Sequence, residues 1–138
     1  MYKLISLQTV QDSRGRLVVS KDLPFEIKRA FSVSDVPEKA QRGGHAHYKL
    51  EEMLVPVKGE FTVNLYTPDS KVSIKMNDSS TGIILYPFMW RTITNYSKDA
   101  ICLSFCSEPF DEQDYIKSWN DYKLNFKKVK DDYLLASF

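Results

Sequence analysis

Residues 57–86 have the sequence VKGEFTVNLYTPDSKVSIKMNDSSTGIILY, and this stretch decides the fold class. Apolar and polar residues alternate over 61–65 and again over 72–76, which is the period of a half-buried β-strand. A third run, 82–86, has the apolar composition of a more fully buried strand. Clusters of turn-forming residues separate these runs, at residues 57–60, 67–70 and 77–80. Short strands at such regular spacing predict an all-β sandwich or barrel.

Outside this stretch the sequence predicts a further turn and a further strand, and then, near the C-terminus, a helix. Residues 12–15 predict an early turn, and residues 100–105 predict another buried strand. Over 111–126 the aromatic residues recur every three or four positions, which predicts a helix packed on the barrel. These aromatic residues are Tyr115, Trp119, Tyr122 and Phe126. We therefore expect one domain, residues 1–138.

The composition is that of an ordinary globular protein. The chain has 138 residues, of which 43% are hydrophobic and 27% charged, and its net charge is +1. This balance gives no broad attraction to nucleic acid or to an anionic membrane. No apolar run approaches the ~20 residues that cross a bilayer. The first ten residues lack the basic and apolar pattern of a secretion signal, so we expect a cytoplasmic protein with neither nucleic acid nor membrane as a partner.

One arginine falls on the apolar face of a predicted strand. In the run 27–33, Ile27, Phe31 and Val33 occupy odd positions, and Arg29 shares their face. A buried guanidinium without a partner is costly, so Arg29 needs an anion or a polar cavity. The alternative is an edge strand from which its long side chain reaches solvent.

The only two histidines of the chain are His45 and His47, in the sequence RGGHAH at 42–47. On a strand two side chains at this spacing project to the same face, with Ala46 pointing away. The preceding glycines allow a ligand or another backbone to approach closely. A same-face histidine pair beside an arginine and two glycines predicts a functional site.

Two kinds of chemistry suit this pair. The His-x-His spacing resembles the first motif of metal-binding cupins, in which Glu51 or Glu52 and Gly59 would fill later positions. A triad of His45, His47 and Glu52 could hold iron. The stretch 87–95, where a further histidine ligand is expected, instead contains Arg91, a cation that repels a metal. The other use is proton transfer, in which neutral imidazoles act as acid and base and nearby arginines stabilise negative charge on a substrate oxygen.

Several collinear motifs resemble the nucleotide-sugar 3,4-ketoisomerases, cupin-fold enzymes that act on dTDP-4-keto-6-deoxyglucose. The sequence RGGHAHYKLE at 42–51 resembles the family signature Arg-Gly-x-His-Ala-His-Lys-Lys-Leu-Glu. DSRG at 12–15, PFEIKR at 24–29 and SEPFDEQDYI at 107–116 resemble the family's early turn, a strand and the approach to its last helix. The likeness extends from about residue 10 to residue 126.

This resemblance implies a cupin jelly-roll barrel, a homodimer with exchanged N-terminal strands, and neither a catalytic metal nor a cofactor. It implies that His47 removes the proton at sugar carbon 3 and that His45 helps to move the proton to carbon 4 through an enediol. Arg29 and Arg42 would bind the substrate or steady the enediolate. The product would pass to an aminotransferase, on the way to 3-amino-3,6-dideoxy sugars of surface polysaccharides such as lipopolysaccharide O-antigen.

The chain also departs from the family pattern at positions that bear on the site. Gly44, Tyr48 and Phe110 stand where relatives have Phe, Lys and Tyr, and Glu52 stands where they often have Gln. Two further substrate-binding candidates, Arg14 and Arg91, occupy positions that flank the sugar in relatives. They bear on whether carbon 4 of the product has the gluco or the galacto configuration. The alternatives to a ketoisomerase are a nucleotide-sugar 3,5-epimerase, a metal-dependent cupin oxygenase and a non-catalytic sugar-binding cupin.

Overall fold

The computed structural model describes residues 1–136, so the last two positions of the predicted domain 1–138 lie outside the described residues. A short 3₁₀-helix spans Glu112–Asp114, and the α-helix α1 spans Trp119–Ala136. The strands are β1 (Tyr2–Ser6), β2 (Gln8–Asp12), β3 (Gly15–Val19), β4 (Arg29–Val33), β5 (Arg42–His47), β6 (Glu52–Lys58), β7 (Phe61–Thr67), β8 (Ser70–Met76), β9 (Thr81–Leu85), β10 (Trp90–Thr94), β11 (Ile101–Cys106) and β12 (Tyr115–Ile116).

The strands of the described chain form two five-stranded antiparallel sheets and a separate hairpin. One sheet has the order β1-β9-β6-β11-β4, the other has the order β12-β5-β10-β7-β8, and β2 pairs with β3. From β4 onward the chain passes repeatedly from one sheet to the other, as in a jelly roll. The predicted all-β jelly-roll barrel with a C-terminal helix is therefore confirmed.

The core lies between the two sheets and is built from the alternating residues of their strands. Phe61, Val63 and Leu65 of β7 are almost fully buried, and they pack in one cluster with Ile83 and Leu85 of β9. Burying each such side chain contributes about 1.5–3 kcal/mol. The predicted strands at 61–65 and 72–76 lie within β7 and β8, and the one at 82–86 overlaps β9, although Val72 on the apolar face of β8 is exposed.

The turn between β7 and β8 shows why this hairpin forms here. The paired residues Thr67 and Ser70 close the turn, and their hydroxyl groups lie 2.7 Å apart. Pro68 and Asp69 stand between them, and both residue types favour turns. The resulting register pairs Phe61 with Met76, so that both side chains enter the core.

The prediction of one helix over 111–126 is wrong at its beginning. The Asp111 side chain accepts a hydrogen bond from the backbone N–H of Gln113 and caps the 3₁₀-helix, after which β12 pairs with β5. The α-helix begins only after Ser118, whose hydroxyl accepts from the backbone N–H of Asp121. Tyr115 therefore lies on a strand and not on the helical face that the spacing predicted.

From Trp119 onward the prediction of a helix packed on the barrel is confirmed. Tyr122 is fully buried, and Trp119 and Phe126 pack beside it against a cluster on the barrel that includes Ala46 and Trp90. The Tyr122 hydroxyl lies within hydrogen-bond distance of two backbone carbonyl oxygens, at 2.9 and 3.0 Å. The helix therefore supports β5 and β10 from outside the barrel. No helix among residues 1–136 combines the length and the apolar character that crossing a membrane requires.

Candidate active site

A cavity of about 140 Å³ opens between the two sheets, and both sheets supply its walls. One sheet contributes side chains of β4, β6 and β11, and the other contributes side chains of β5, β10 and β12. Every histidine of the chain and three of the four predicted substrate-binding arginines line it. These residues are His45, His47, Arg29, Arg42 and Arg91.

Strand β5 places both histidines in this cavity. Their ring centroids lie 4.8 Å apart with the ring planes nearly perpendicular, while Ala46 between them is buried against the helix. Gly43 has a positive φ of 83°, and a Cβ there would lie 2.7 Å from the carbonyl oxygen of Arg91. The glycine thus allows β5 to approach β10 where the ladder is irregular. The predicted same-face histidine pair is confirmed.

A carboxylate from another element orients His47. Nδ1 of His47 lies 3.2 Å from Oδ2 of Asp114, and the carboxylate also accepts hydrogen bonds from the backbone N–H groups of Lys49 and Leu50. A carboxylate in this position accepts a hydrogen bond from a protonated Nδ1. The neutral ring then has Nε2 as its basic nitrogen. The sequence alone predicts no role for Asp114, because this residue lies far from His47 along the chain and is one of many acidic residues.

The surroundings keep both imidazoles neutral. Burial and, to a smaller extent, the positive charge of Arg91 lower the pKa of His45 to about 4. The same two causes, in the same order, hold the pKa of His47 well below its usual range. At neutral pH both rings are therefore unprotonated at one nitrogen, the state in which a histidine accepts a proton.

β4 is the edge strand of its sheet, as one of the two interpretations expected, but the Arg29 side chain lines the polar cavity, as the other expected. It shares the cavity-facing side of β4 with Phe31 and Val33. Its Nε is buried and has no hydrogen-bond partner among residues 1–136, and its NH2 group lies 3.6 Å from the Cys106 thiol. Ile27, expected on the same face, precedes β4 and is exposed. The alternation of faces expected for a strand therefore begins only at Arg29.

Arg91 is buried at the floor of the cavity with most of its hydrogen-bonding capacity unused. Only 1% of its surface is exposed, and its three guanidinium nitrogens find no hydrogen-bond partner within the described chain. Oε1 of Glu52 lies 3.9 Å from NH1, and Oε2 of Glu52 accepts a hydrogen bond of 2.8 Å from the Ser104 hydroxyl. A buried cation with free donors in a cavity is suited to an anionic or carbonyl oxygen of a ligand.

The two remaining arginines differ in position. Arg42 begins β5 and lines the cavity, and its substrate-binding role stays a prediction. Arg14 lies in the turn of the β2–β3 hairpin, where its exposed guanidinium pairs with Asp12 at 2.7 Å. The structure of one chain does not bring Arg14 to the histidine pair, and its substrate-binding role stays a prediction.

Sequence reasoning missed Tyr115 as a site residue. Its ring centroid lies 4.4 Å from that of His47 and 4.8 Å from that of His45, and it lines the cavity. Its position opposite His47 in the β12–β5 pair explains this contact, since opposed residues of paired strands project to the same side. The one available signal was its place in the motif at 107–116, which the helical spacing of the aromatic residues obscured.

The iron-binding triad considered from the sequence is not assembled. Glu52 faces Arg91 and Ser104, and within residues 1–136 no three His, Cys, Asp or Glu side chains converge so as to share a metal ion. The site as built is a histidine pair with an orienting carboxylate, an adjacent phenol and two arginines with free donors. Such a site can move protons at carbon and stabilise a negative oxygen.

Comparison with known proteins places this chain in a family. The family described as "FdtA: WxcM-like, C-terminal" matches residues 1–127. TDP-4-oxo-6-deoxy-alpha-D-glucose-3,4-oxoisomerase of Aneurinibacillus thermoaerophilus is 32% identical over 130 residues, which cover 92% of this chain and 94% of that protein.

Two solved structures are similar over nearly the whole chain. The sugar 3,4-ketoisomerase QdtA of Thermoanaerobacterium thermosaccharolyticum, in complex with TDP, gives a TM-score of 0.91 at 32% identity, covering 93% of this chain and 96% of QdtA. A histidine-to-asparagine mutant of QdtA, in complex with TDP-4-keto-6-deoxyglucose, gives a TM-score of 0.90 at 32% identity, with coverage of 92% and 94%. The chain therefore belongs to the FdtA family, the sugar 3,4-ketoisomerases, and the protein is an isomerase.

Proposed function

We propose that the protein moves the keto group of dTDP-4-keto-6-deoxyglucose from carbon 4 to carbon 3, giving a dTDP-3-keto-6-deoxyhexose. The observation that carries this proposal is the pair of neutral imidazoles, His45 and His47, on one face of a cavity that also holds Arg29 and Arg91. The proposed substrate is the sugar nucleotide in the name of the related oxoisomerase, and it is also the ligand bound to the QdtA mutant.

The residues divide the proton transfer between them. His47, held by Asp114 with Nε2 as its basic nitrogen, removes the proton at carbon 3, which the neighbouring carbonyl acidifies. His45, whose ring touches that of His47, helps to return the proton to carbon 4 of the enediol. The free donors of Arg29 and Arg91 stabilise negative charge as it develops on oxygen.

The size of the cavity suggests how the rest of the substrate is held. Pockets that enclose a drug-sized ligand have volumes of about 300–1,000 Å³, and the cavity at the histidine pair is smaller, at about 140 Å³. We therefore assign it to the sugar ring. Arg42, which is exposed and lines the cavity, is placed to meet the diphosphate.

The proposed assembly is a homodimer with exchanged N-terminal strands. In one chain the β2–β3 hairpin forms its own two-stranded sheet and exposes about half of Val10 and 60% of Leu17. Apolar side chains on an unpartnered hairpin favour docking on a second copy. In that arrangement the hairpin carries Arg14 toward the partner's cavity, where it would act with Arg91 on the configuration at carbon 4.

Mixing two variants, each of which is expected to be inactive alone where the hairpin of one chain completes the cavity of its partner, tests this shared site. His47→Asn removes the proposed base from the cavity of its own chain but keeps an intact hairpin. Arg14→Ala keeps that base and removes the arginine that the hairpin would carry to the partner's cavity. Co-refolding the two variants restores up to about a quarter of wild-type activity, because half of the dimers are mixed and one of their two sites is intact. If mixing restores no activity, or if sedimentation shows a monomer, the exchanged dimer is wrong.

The finer biological setting rests on the family resemblance. We propose that the 3-keto product passes to an aminotransferase, and that the resulting 3-amino-3,6-dideoxy sugar enters a surface polysaccharide such as lipopolysaccharide O-antigen. A cytoplasmic location and a single domain over residues 1–138 belong to the same proposal.

Proton NMR of dTDP-4-keto-6-deoxyglucose incubated with the protein tests the reaction itself. Movement of the keto group to carbon 3 is expected, and the coupling of the new proton at carbon 4 gives the configuration of the product. An unchanged spectrum, or exchange at carbon 5 in place of a keto shift, would overturn the proposal and would favour a binding protein or an epimerase respectively.

A further inference from the structure

A buried ion pair joins the middle strands of the two sheets at the floor of the cavity. Glu52 lies on β6, the middle strand of one sheet, and Arg91 lies on β10, the middle strand of the other. Oε1 of Glu52 is 3.9 Å from NH1 of Arg91, and both side chains line the cavity. Within residues 1–136 this is the one ion pair that Arg91 forms. The proposed keto shift gives Arg91 a task and leaves Glu52 without one, and this inference rests on that proposed function.

Glu52 is fixed firmly by its own sheet. Its backbone is paired with Leu85 on one side and with Cys106 on the other, and only 7% of its surface is exposed. Oε2 accepts a hydrogen bond of 2.8 Å from the hydroxyl of Ser104, a fully buried residue of the neighbouring strand β11. The carboxylate therefore presents its other oxygen to the cavity from a set position.

The far end of Arg91 has no such anchor. The backbone of Arg91 is paired with His45 and Leu65, but its three guanidinium nitrogens form no hydrogen bond with the described chain. At 3.9 Å, Glu52 attracts the buried guanidinium by charge and is too distant to accept a hydrogen bond from it. This attraction restrains the long side chain and leaves its donors free for a ligand oxygen.

A change at Arg91 would be felt by the groups that meet the sugar. After burial, the charge of Arg91 is the largest cause that lowers the pKa of both His45 and His47. Burial also lowers the pKa of Arg91 itself, and Glu52 is the strongest of the groups that oppose this effect. The negative charge of Glu52 therefore supports the positive charge that acts on the histidine pair.

We propose that Glu52 is a positioning residue that acts through Arg91, its charge holding the guanidinium where the free donors meet the negative oxygen of the sugar. Ser104 serves the same purpose one step further from the substrate, because its hydroxyl fixes the carboxylate. Glu52 itself takes no part in the proton transfer. Its effect on the reaction therefore exists only while Arg91 is present.

The first test is Glu52→Gln, which keeps the size of the side chain and an acceptor for Ser104 but removes the charge. The wild-type protein is assayed first by NMR on dTDP-4-keto-6-deoxyglucose, so that failure of the proposed function is seen separately from failure of this inference. With a working wild type, Glu52→Gln is expected to lower kcat by about 10-fold and to change KM little. The affinity for TDP, which has no sugar, should be that of the wild type.

The decisive measurement repeats this change in an Arg91→Met background. Arg91→Met alone is expected to lower kcat by about 100-fold, a loss that longer incubation still measures. Adding Glu52→Gln should then lower kcat by less than about 2-fold further, because the group through which Glu52 acts is gone. A merely structural Glu52 would cost the same factor in both backgrounds, and that result overturns the proposal.

Glu60→Gln is the matched control. Glu60 also forms an ion pair, at 3.0 Å with Lys75, but this pair is exposed to solvent and lies outside the cavity. The control should retain wild-type kcat in both backgrounds. A wild-type kcat in folded Glu52→Gln, or in Arg91→Met, would likewise overturn the proposal.

Ser104→Ala gives a second route if Glu52→Gln does not fold. It keeps both charges and removes only the hydroxyl that fixes the carboxylate. We expect kcat to fall by about 5-fold in the wild-type background and to stay unchanged in the Arg91→Met background. Equal losses in the two backgrounds, or a wild-type kcat in Ser104→Ala, would contradict a role exerted through Arg91.

Discussion

Oδ2 of Asp114 lies 3.2 Å from Nδ1 of His47, and the same carboxylate holds the backbone N–H groups of Lys49 and Leu50. This one side chain therefore fixes both the turn after β5 and the proton-bearing nitrogen of the histidine. The tautomer that results leaves Nε2 free to accept a proton. Asp114 is therefore placed to position the imidazole of His47.

Asp114→Asn is expected to lower kcat by on the order of 100-fold while KM changes little. The amide can donate to Nδ1 as well as accept, which favours the opposite tautomer with the proton on Nε2. Long-range ¹H–¹⁵N spectra of the imidazoles report the tautomer directly, and Asp69→Asn, in the exposed turn after β7, is the control. An unchanged tautomer together with a wild-type kcat would show that Asp114 only stabilises the turn.

His47→Asn is expected to lower kcat by about 10²–10⁴-fold. Binding of the nucleotide sugar should remain within a few-fold of wild type, because the arginines that hold the ligand are untouched. Isothermal titration measures the binding and NMR measures the turnover. His45→Asn should lower kcat and leave more exchange of the carbon 3 hydrogen in D₂O than His47→Asn does. If His45→Asn instead shows less hydrogen exchange than His47→Asn, the two histidines have the opposite roles.

Stability is expected to fall as the pH is lowered from about 6.5 toward 4. Burial first, and the positive charge of Arg91 second, lower the pKa of both histidines in the folded state. The unfolded chain therefore binds protons at a pH where the folded chain does not, and each histidine can contribute up to about 1.4 kcal/mol per pH unit.

Urea denaturation at pH 7, 6 and 5 and at constant protein concentration measures this effect. A His45→Asn/His47→Asn double variant has no histidine left and should show a much flatter dependence on pH. A wild-type free energy of unfolding that stays constant between pH 6.5 and 5 would mean that the folded state does not resist protonation of these rings.

Glu52 and Arg91 are expected to be coupled in stability. Glu52→Gln keeps an acceptor for the Ser104 hydroxyl but leaves buried Arg91 without a counter-charge, and should cost about 1–3 kcal/mol. In combination with Arg91→Met the cost should be smaller than the sum of the two single changes by at least about 0.5 kcal/mol. Additive costs in urea denaturation would show that the 3.9 Å separation is too long for a significant interaction.

The sequence predicted the barrel because its signal is local. Alternation over β7 and β8, with the turn residues between them, determines both the strands and the faces they bury. The same period of two placed His45 and His47 on one face, whereas it left Arg29 between a polar cavity and solvent at an edge strand. Such predictions need only the geometry of a strand, and the tertiary structure did not override them.

The helix boundary shows where local signals fail. The spacing of Tyr115, Trp119, Tyr122 and Phe126 is helical throughout, yet Tyr115 pairs with β5 and leaves the helix to begin at Trp119. The backbone hydrogen bonds of β12 with a distant strand decide this, and no pattern within a short window contains them.

What the sequence by itself determined is the all-β fold, the histidine pair and, through its resemblance to a family, the isomerase activity. Only the tertiary structure decided which carboxylate orients His47, that Tyr115 touches both imidazoles, and that Arg91 is buried with free donors. The physical reason is that strand period and turn chemistry act between neighbours in the chain. A catalytic contact such as that between His47 and Asp114 joins residues 67 positions apart, and only strand pairing brings them together.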